Sequence, residues 1–168
     1  DPRDALGLTI ESGKAVNHKK TKQAFYTPDE IADRMMSAAI IECGMTVLEP
    51  SCGEGSIIRA VLRWEPHVER IVGLDTDADA LARIASDPRV SLETRDFLAA
   101  EPTAFDRVVM NPPFAKGQDI AHVTHALRFV VGRGRLAAIM SPSWRTSDTK
   151  KARAFRALLD QQASWRVE

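Results

Sequence analysis

Short apolar runs recur along the chain and alternate with longer segments whose apolar residues are spaced as on one face of a helix. Short apolar runs bounded by Gly, Pro, Asp or Asn are typical of buried strands. The predicted strands are Met45–Pro50, Arg70–Asp75, Val90–Thr94, Phe105–Asn111 and Arg135–Ser141, with Ser164–Glu168 as the start of a sixth. The predicted helices among and after them are Ser56–Trp64, Ala78–Ser86, Gln118–Val131 and Thr149–Gln162. This alternation predicts an α/β fold, with a doubly wound parallel sheet covered on both faces.

The chain before the first of these strands has a different pattern. Residues 1–22 show no sustained periodicity, so we expect a flexible N-terminal arm there. A helix is predicted after it, with Thr27 as the N-cap, Pro28 at the first helical position and Glu30 closing a capping box. Cys43-Gly44 predicts the end of that helix.

Composition limits the kind of protein. With 168 residues, 44% hydrophobic and 27% charged, the chain fits one globular domain, which we assign to residues 23–168. A formal net charge of +0 disfavours a globally basic nucleic-acid binder and leaves room for a local basic face. Cys43 and Cys52 have neither disulfide nor metal-binding spacing, and the sequence has no membrane-length apolar run and no signal peptide. We therefore expect a cytoplasmic protein without a metal site.

The tetrapeptide Asn111-Pro112-Pro113-Phe114 follows a predicted strand and carries candidate chemistry. The Asn oxygen and a backbone carbonyl can accept the two N–H bonds of a planar amine, while the aromatic ring stacks on its face. Pro113 disfavours a helical Pro112, so the loop stays extended. The same residues also fit an ordinary loop, and the segments upstream must decide between the two interpretations.

The turn after the first of the predicted strands contains Gly53 and Gly55, which allow a close approach of the backbone to a ligand. The turn lacks the glycine spacing of dinucleotide sites and the Lys of triphosphate sites, so both ligands are disfavoured. Glu49 ends the strand, and an acidic side chain suits an ammonium group better than a phosphate. This combination indicates a cofactor with an amino-acid end.

Acidic residues also end the next two strands. Asp75 can accept both hydroxyls of a ribose, although it, like Asp77, can alternatively cap the following helix. Asp96 and Phe97 can hold an adenine by its amine and its ring face. Each acid alone fits a helix cap. Together, at successive strand ends on one sheet edge, they favour a ligand that is both nucleoside and amino acid, S-adenosylmethionine.

The order of these motifs resembles that of class I S-adenosylmethionine-dependent methyltransferases, and more narrowly of DNA adenine-N6 methyltransferases of the gamma order. In that family a helix bearing Y-T-P precedes the glycine motif, and [DN]-P-P-[YFW] follows it. The matching segments are Phe25–Pro28, Leu48–Gly55, Gly73–Asp77, Arg95–Leu98 and Asn111–Phe114. The resemblance covers roughly residues 23 to 142 and implies a Rossmann-like sheet of the class I type. We expect the closing strands usual for that fold to be missing.

The resemblance also implies roles for individual residues. Asn111 and Pro112 would receive the substrate amine, with Pro113 in the same catalytic motif and Phe114 stacked on a base flipped out of the duplex. The implied cofactor-binding residues are Tyr26, Thr27, Glu49, Pro50, Cys52, Gly53, Gly55, Asp75, Thr76, Asp96, Phe97 and Asn111. The implied reaction is formation of N6-methyladenine in DNA.

Two other functions remain open at this point. RNA base methyltransferases, acting on adenine N6 or guanine N2, and protein glutamine methyltransferases also use Asn-Pro-Pro-aromatic. The Tyr26-Thr27-Pro28 helix favours DNA, and Phe114 in place of the Tyr usual for glutamine acceptors disfavours protein. A non-catalytic nucleic-acid-binding partner subunit is the second alternative. No target-recognition region is evident, so we expect a missing recognition domain or a separate specificity subunit.

Several residues outside the motifs have two interpretations. Asp119, His122 and His125 share a predicted helix and fit solvated residues better than metal ligands. Lys116-Gly117-Gln118 fits a mobile substrate loop or the cap of the next helix, and the substrate loop is favoured because Gly117 permits hinge-like changes. For Trp144, packing is favoured over substrate contact. Basic residues enrich the last third and fit either a phosphate-binding face or a solvated helix: Arg133, Arg135, Arg145, Lys150, Lys151, Arg153 and Arg156.

Overall fold

The structure is a computed structural model that describes residues 27–161 in full and the backbone of 7–11 and 164–167. Its strands are β1 (Gly7–Glu11), β2 (Thr46–Glu49), β3 (Arg70–Asp75), β4 (Val90–Thr94), β5 (Phe105–Met110), β6 (Val130–Ile139) and β7 (Ser164–Val167). Its helices are α1 (Asp29–Ala39), α2 (Ser56–Trp64), α3 (Ala78–Leu81), α4 (Gln118–Ala126), α5 (Ser143–Thr146) and α6 (Lys150–Asp160).

The strands form one sheet in the order β4-β3-β2-β5-β6-β1-β7. Each pairing between described strands is parallel. The predicted doubly wound α/β fold is therefore confirmed, and β4-β3-β2-β5-β6 form its five-stranded Rossmann-like centre. Chain order reverses between β2 and β5, and ligands of open parallel sheets bind beside the carboxyl ends of the strands at such a point.

The two faces of the sheet bury separate apolar clusters because successive strand residues point to opposite sides. On β5, Val108 and Met110 pack with Phe155 of α6, whereas Val109 packs with Met35 of α1 and Ile57 of α2. The helices thus cover both faces and leave the sheet's carboxyl edge as the place where loops converge.

A side chain sets the register of the two strands beside the crossover. The Asp106 Oδ2 atom on β5 accepts hydrogen bonds from both the backbone N–H and the hydroxyl of Thr46 on β2, each 2.8 Å long. These donors lower the pKa of Asp106 from its usual value. The contact lies at the amino ends of the strands, opposite the converging loops.

Several predicted boundaries are wrong. Helix α3 ends at Leu81, not Ser86, and α4 ends at Ala126, followed by a 3-10 turn and the long strand β6. Strand β6 begins at Val130 rather than Arg135, because the adjacent β-branched residues Val130 and Val131 favour an extended backbone. Helix α5 was not predicted.

Helix α1 also departs from its prediction at both ends. Pro28 occupies the N-cap position and no side chain caps the helix, so the capping box of Thr27 and Glu30 is wrong. The hydroxyl of Thr27 is bonded elsewhere. The helix ends at Ala39, earlier than Cys43-Gly44, because Ile40 adopts a left-handed conformation with φ of 50°.

The prediction of a flexible arm over residues 1–22 is wrong for residues 7–11. Gly7–Glu11 forms β1 between β6 and β7, since backbone pairing needs only an extended segment beside an open strand. The rest of residues 1–22 lies outside the described residues, as does Tyr26. Among the described residues, no helix is long and apolar enough to cross a membrane.

Candidate functional site

A cavity of about 860 Å³ opens at the carboxyl edge of the sheet, beside the point where chain order reverses. The structure brings together residues predicted from four separate strand ends. Ten of the predicted site residues line the cavity: Thr27, Pro50, Cys52, Gly53, Asp75, Thr76, Asp96, Phe97, Asn111 and Pro113. Glu49, Gly55, Pro112 and Phe114 lie outside its lining.

The glycine turn between β2 and α2 forms one wall of the cavity. Gly53 has a φ of 50°, and a Cβ atom there would meet no described atom within 4 Å, so the space faces the opening. Gly55 has a φ of 79°, and a Cβ there would lie 3.0 Å from the Ile84 side chain. Gly53 is therefore the glycine that leaves room for a ligand, whereas Gly55 allows the turn to enter α2 beside Ile84.

Asp75 holds that wall in place. Its Oδ2 atom accepts a 2.7 Å hydrogen bond from the Gly53 N–H, and its Oδ1 atom accepts one of 2.9 Å from the Asp77 N–H. Asp77, not Asp75, caps α3 by accepting from the amides of Asp79 and Ala80. The helix-cap interpretation of Asp75 is thus wrong, and this carboxylate fixes two loops while facing the cavity.

A second wall comes from the end of β4. The exposed Asp96 side chain accepts a hydrogen bond from the Leu98 N–H and lines the cavity. Phe97 lines it too, but is only 2% exposed. Its ring packs 4.9 Å from His125 and 5.1 Å from Phe129, centroid to centroid. Phe97 is therefore a core residue that contributes to the cavity surface.

Two polar residues of α4 are buried, and their predicted exposure to solvent is wrong. Asp119 and His122, predicted as solvated, are 1% and 8% exposed. The Asp119 Oδ2 atom accepts a 3.0 Å hydrogen bond from the Ser141 N–H, which ties α4 to the end of β6. His122 lines the cavity; burial lowers its pKa, partly offset by the charges of Asp96 and Asp119. Within the described part of the chain, no cluster of three or more His, Cys, Asp or Glu could hold a metal.

Glu49 lies behind the glycine turn and is 2% exposed. Burial raises its pKa well above the usual value, and the charge of Asp75 raises it further. Its Oε2 atom has no hydrogen-bond partner among the described residues. Burial, together with Glu49 and Asp75, also raises the pKa of the Cys52 thiol. A backbone hydrogen bond from Ile58 only partly offsets these effects on the Glu49 pKa. A buried acid with one unsatisfied oxygen therefore lies behind a cavity wall that already carries Asp75.

Asn111 ends β5 at the opposite side of the cavity from Asp96. Its Nδ2 atom donates a 3.0 Å hydrogen bond to the Thr27 hydroxyl oxygen. Its Oδ1 atom is buried and has no partner among the described residues. Since buried polar atoms are normally satisfied, this oxygen is an acceptor that still lacks a donor.

The rest of the motif is arranged around Asn111. Pro112 is buried, Pro113 lines the cavity, and Phe114 is half-buried against the core cluster shared with α1 and α2. Lys116 and Gly117 follow with φ values of 54° and 67° in a 3-10 turn. The Lys151 Nζ atom donates a 2.6 Å hydrogen bond to the Gly117 carbonyl oxygen, which joins the turn to α6.

Trp144 packs as predicted. It is 3% exposed, and its ring meets Phe155 edge-on at 5.5 Å. The Arg156 guanidinium donates to the carbonyl oxygens of Trp144 and Ser147, so this arginine joins α6 to α5. Arg145, Lys150, Lys151 and Arg153 remain exposed.

Sequence reasoning missed several residues of the cavity. Ser51, Ser56, Arg95 and His122 line it, and the Ser51 hydroxyl has no partner among the described residues. Ser51 and Ser56 flank the glycines, so their place in the turn was an available signal. His122 reaches the cavity because α4 packs against β6 and the 3-10 turn Phe97–Ala99, which no local pattern indicates.

Comparison with protein families gives a match over most of the chain. The sequence model of the methyltransferase small domain family matches residues 29–156. The matched segment contains every described residue of the cavity wall except Thr27.

Comparison with curated proteins gives two relatives that are named as methyltransferases. The type II methyltransferase M.TthHB8I of Thermus thermophilus is 34% identical over 108 residues, covering 63% of this chain and 24% of the relative. The modification methylase CviBIII of Paramecium bursaria Chlorella virus NC1A is 33% identical over 104 residues, covering 57% and 27%. The chain thus spans about a quarter of the length of these relatives.

Solved structures share the fold. The methyltransferase subunit of a type I restriction-modification system from Streptococcus thermophilus superposes with a TM-score of 0.68 at 22% identity, covering 82% of this chain and 39% of that one. A modification subunit of a putative type I restriction enzyme from Vibrio vulnificus gives 0.63 at 18%, covering 81% and 38%. At these identities the likeness shows the fold alone.

Proposed function

The chain belongs to the methyltransferase small domain family, and on that premise we propose that it transfers a methyl group from S-adenosylmethionine to the exocyclic N6 amine of adenine in DNA. Membership of this family implies use of S-adenosylmethionine. The finer assignment, to adenine and to DNA, rests on the site described above and on the two DNA-modification relatives.

The cavity fits such a cofactor in shape and charge. It has room for a nucleoside joined to an amino acid, and Gly53 leaves its side of the wall open. Asp75 and Asp96 present carboxylates to the cavity, and the remaining lone pairs of Asp75 suit ribose hydroxyls. Buried Glu49 adds an acid behind the turn. Negative charge on this side suits a ligand that carries both a sulfonium and an ammonium group.

The acceptor side is formed by the end of β5. When bound, S-adenosylmethionine supplies a methyl group already activated by its positive sulfur. The chain's task is then to hold and prepare the amine. Asn111 Oδ1 and the Pro112 carbonyl oxygen would accept its two N–H bonds, which draws the nitrogen lone pair out of the aromatic ring. Accurate placement supplies most of the remaining rate advantage.

One observation carries this proposal. The Asn111 side-chain oxygen is buried without a partner at the wall of the cavity that also contains Asp75 and Asp96. An unsatisfied buried acceptor costs about 1–3 kcal/mol, so a donor that satisfies it on binding regains that energy. An amine with two N–H bonds is such a donor.

Charge supports a nucleic acid as the acceptor. Residues 116–168 contain ten Lys or Arg and four Asp or Glu, whereas residues 1–115 contain 13 and 19. The segment from Lys116 onward, which includes α4 and α6, is therefore basic. A basic surface beside Asn111 suits a phosphate backbone better than the neutral side chain of a protein glutamine.

The test is transfer of a radioactive methyl group from S-adenosylmethionine to DNA, RNA and protein by the full-length protein. We expect label in DNA, lost in Asn111→Ala and kept in Thr103→Ala, which removes an exposed side chain from the loop 101–104. Label in RNA or protein alone would overturn the DNA assignment. A wild type that binds the cofactor but labels no acceptor would favour a non-catalytic partner subunit.

A further inference from the structure

His122 lines the cavity, yet the proposed reaction gives it no role. The side chain is only 8% exposed, and its Nδ1 atom is buried without a hydrogen-bond partner among the described residues. The Nε2 atom also forms no hydrogen bond with a described residue, but it is not one of the buried unpartnered atoms. Nε2 therefore belongs to the accessible edge of the ring, which a ligand in the cavity can reach.

The surroundings of the His122 ring hold it in one place. Helix α4 is tied to the end of β6 by the 3.0 Å hydrogen bond from the Ser141 N–H to the Asp119 Oδ2 atom. The His122 ring packs against the buried Phe97 ring, with 5.8 Å between the centroids and 49° between the planes. A ring held in this way can bind a ligand without losing much side-chain freedom.

The environment of His122 favours a neutral ring with its proton on Nε2. Burial lowers the pKa of His122, and the Asp96 carboxylate is the charge that most opposes this change. A proton on Nδ1, in either the charged ring or the other neutral tautomer, would bury an N–H without an acceptor among the described residues. An unsatisfied buried acceptor is tolerated better than an unsatisfied buried N–H, so Nε2 carries the proton and acts as a donor.

The residues beside His122 indicate what this donor meets. Asp96 also lines the cavity, and we expect its carboxylate to accept the N6 amine of the cofactor's adenine. The ring nitrogens N1 and N7 of adenine lie on either side of that amine, and both are acceptors. A base that gives its amine to Asp96 therefore presents a ring acceptor next to it, where a donor such as the His122 Nε2–H is needed.

We propose that His122 is a specificity-determining residue of the cofactor site, whose Nε2–H donates a hydrogen bond to a ring nitrogen of the adenine of S-adenosylmethionine. This inference rests on the proposed function, because it assigns one end of the cavity to that adenine. Asp96 then binds the amine, and His122 binds the ring nitrogen beside it. A base with a carbonyl group in place of the amine would turn an acceptor toward the Asp96 carboxylate, so the two residues together select adenine.

The experiment measures, by calorimetry on the full-length protein, the binding of S-adenosylhomocysteine and of its 1-deaza and 7-deaza analogues, in which carbon replaces N1 or N7. His122→Phe keeps a ring against Phe97 and removes both nitrogens. His125→Phe is the matched control, because His125 lies on the same helix and packs on the same Phe97 ring but is not part of the cavity lining. We expect at least one analogue to bind the wild type and His125→Phe about three- to tenfold more weakly than S-adenosylhomocysteine, as loss of a neutral hydrogen bond implies. In His122→Phe that difference should disappear.

Two results would overturn the role of His122: equal binding of all three ligands to the wild type, or the same difference between ligands in His122→Phe as in the wild type. The smaller His122→Leu is measured in parallel with the same expectation, and thermal unfolding shows which variants fold. Because the readout is binding, the result holds whether or not the protein methylates DNA. A wild type that binds no S-adenosylhomocysteine would overturn both this inference and the proposed cofactor.

Discussion

At the scale of single residues, the site depends on polar groups whose hydrogen-bond partners are set by the fold. Asp75 uses both oxygens to hold backbone amides, and Asp77 supplies the helix cap. Asn111 uses its nitrogen for Thr27 and keeps its oxygen free of partners among the described residues. Neighbouring residues of similar type therefore have different roles, which single substitutions can separate.

The pair Asp75 and Asp77 provides one such separation. We expect Asp75→Ala to weaken S-adenosylhomocysteine binding at least about tenfold, because it removes a cavity carboxylate and releases the Gly53 turn. Asp77 also lines the cavity, but its Oδ1 atom accepts from the amides of Asp79 and Ala80. Asp77→Ala should therefore mainly cost stability, about 0.5–2 kcal/mol for a lost N-cap. Calorimetry and thermal unfolding measure the two effects. Equal loss of affinity in both variants would contradict the assignment.

Buried Glu49 provides a pH-dependent test. Burial raises its folded pKa well above that of the unfolded chain, so the folded protein holds this proton more tightly. Its contribution to stability therefore falls as pH rises above the unfolded pKa of about 4.3 and levels off beyond the folded pKa. Without the cofactor, Glu49→Gln should raise the melting temperature at pH 8 and have little effect at pH 4. The exposed Glu101→Gln is the control. A variant less stable than the wild type at pH 8 would show that the carboxyl is well satisfied.

At the scale of elements, the glycine turn depends on how closely α2 packs on β3. Gly73 lies in β3 beneath that helix, and a Cβ atom there would approach Ile58 at 2.9 Å and Leu92 at 2.8 Å. The Cys52 sulfur would lie 3.1 Å away. The strand can therefore support the turn only if its residue has no side chain.

Gly73→Ala tests this packing. We expect it to destabilise the fold by about 1–3 kcal/mol, as overpacking of a core does. The exposed Gly132→Ala is a matched control, because a Cβ at that position meets no described atom within 4 Å. Chemical denaturation measures both. A Gly73→Ala variant as stable as the control would show that Ile58 and Leu92 move aside easily.

The elements also show what the sequence can and cannot predict. Strands β3 and β4 and helix α2 agree with their predicted limits because each has a compact apolar pattern with clear ends. The cavity residues at strand ends followed from the parallel fold. The bond between Thr27 and Asn111 could not be predicted, because it joins residues 84 positions apart. The burial of Asp119 and His122 could not be predicted either, because it depends on tertiary packing rather than on local sequence pattern.

At the scale of the whole molecule, acidic and basic residues are concentrated in different parts of the fold. Acidic residues line the cofactor side, where Asp75 and Asp96 face the opening. Basic residues follow Asn111 in the chain, and Lys151 contacts the Gly117 carbonyl oxygen directly. Lys150 is exposed beside it and forms no ion pair with any described residue. This division of charge is what the proposed binding of a cationic cofactor and a nucleic acid by a neutral chain requires.

Salt dependence of DNA binding tests this division. If Lys150 contacts a phosphate, Lys150→Ala should weaken binding and reduce the slope of log K against log salt by about 0.9. Arg128 is exposed and lies just before β6, at the edge of the sheet formed by the amino ends of the strands. Arg128→Ala removes the same charge there and should leave the slope unchanged. Fluorescence anisotropy across a salt series provides both slopes. Equal slopes for Lys150→Ala and the wild type would show that Lys150 does not contact a DNA phosphate.

The most direct test of the central claim is the chemical identity of the product. The full-length protein is incubated with DNA and S-adenosylmethionine carrying a deuterated methyl group, and the digested nucleosides are analysed by mass spectrometry. We expect labelled N6-methyldeoxyadenosine with the wild type and none with Asn111→Ala, although that variant still binds S-adenosylhomocysteine. Label on another nucleoside position, or equal product from Asn111→Ala, would contradict the account.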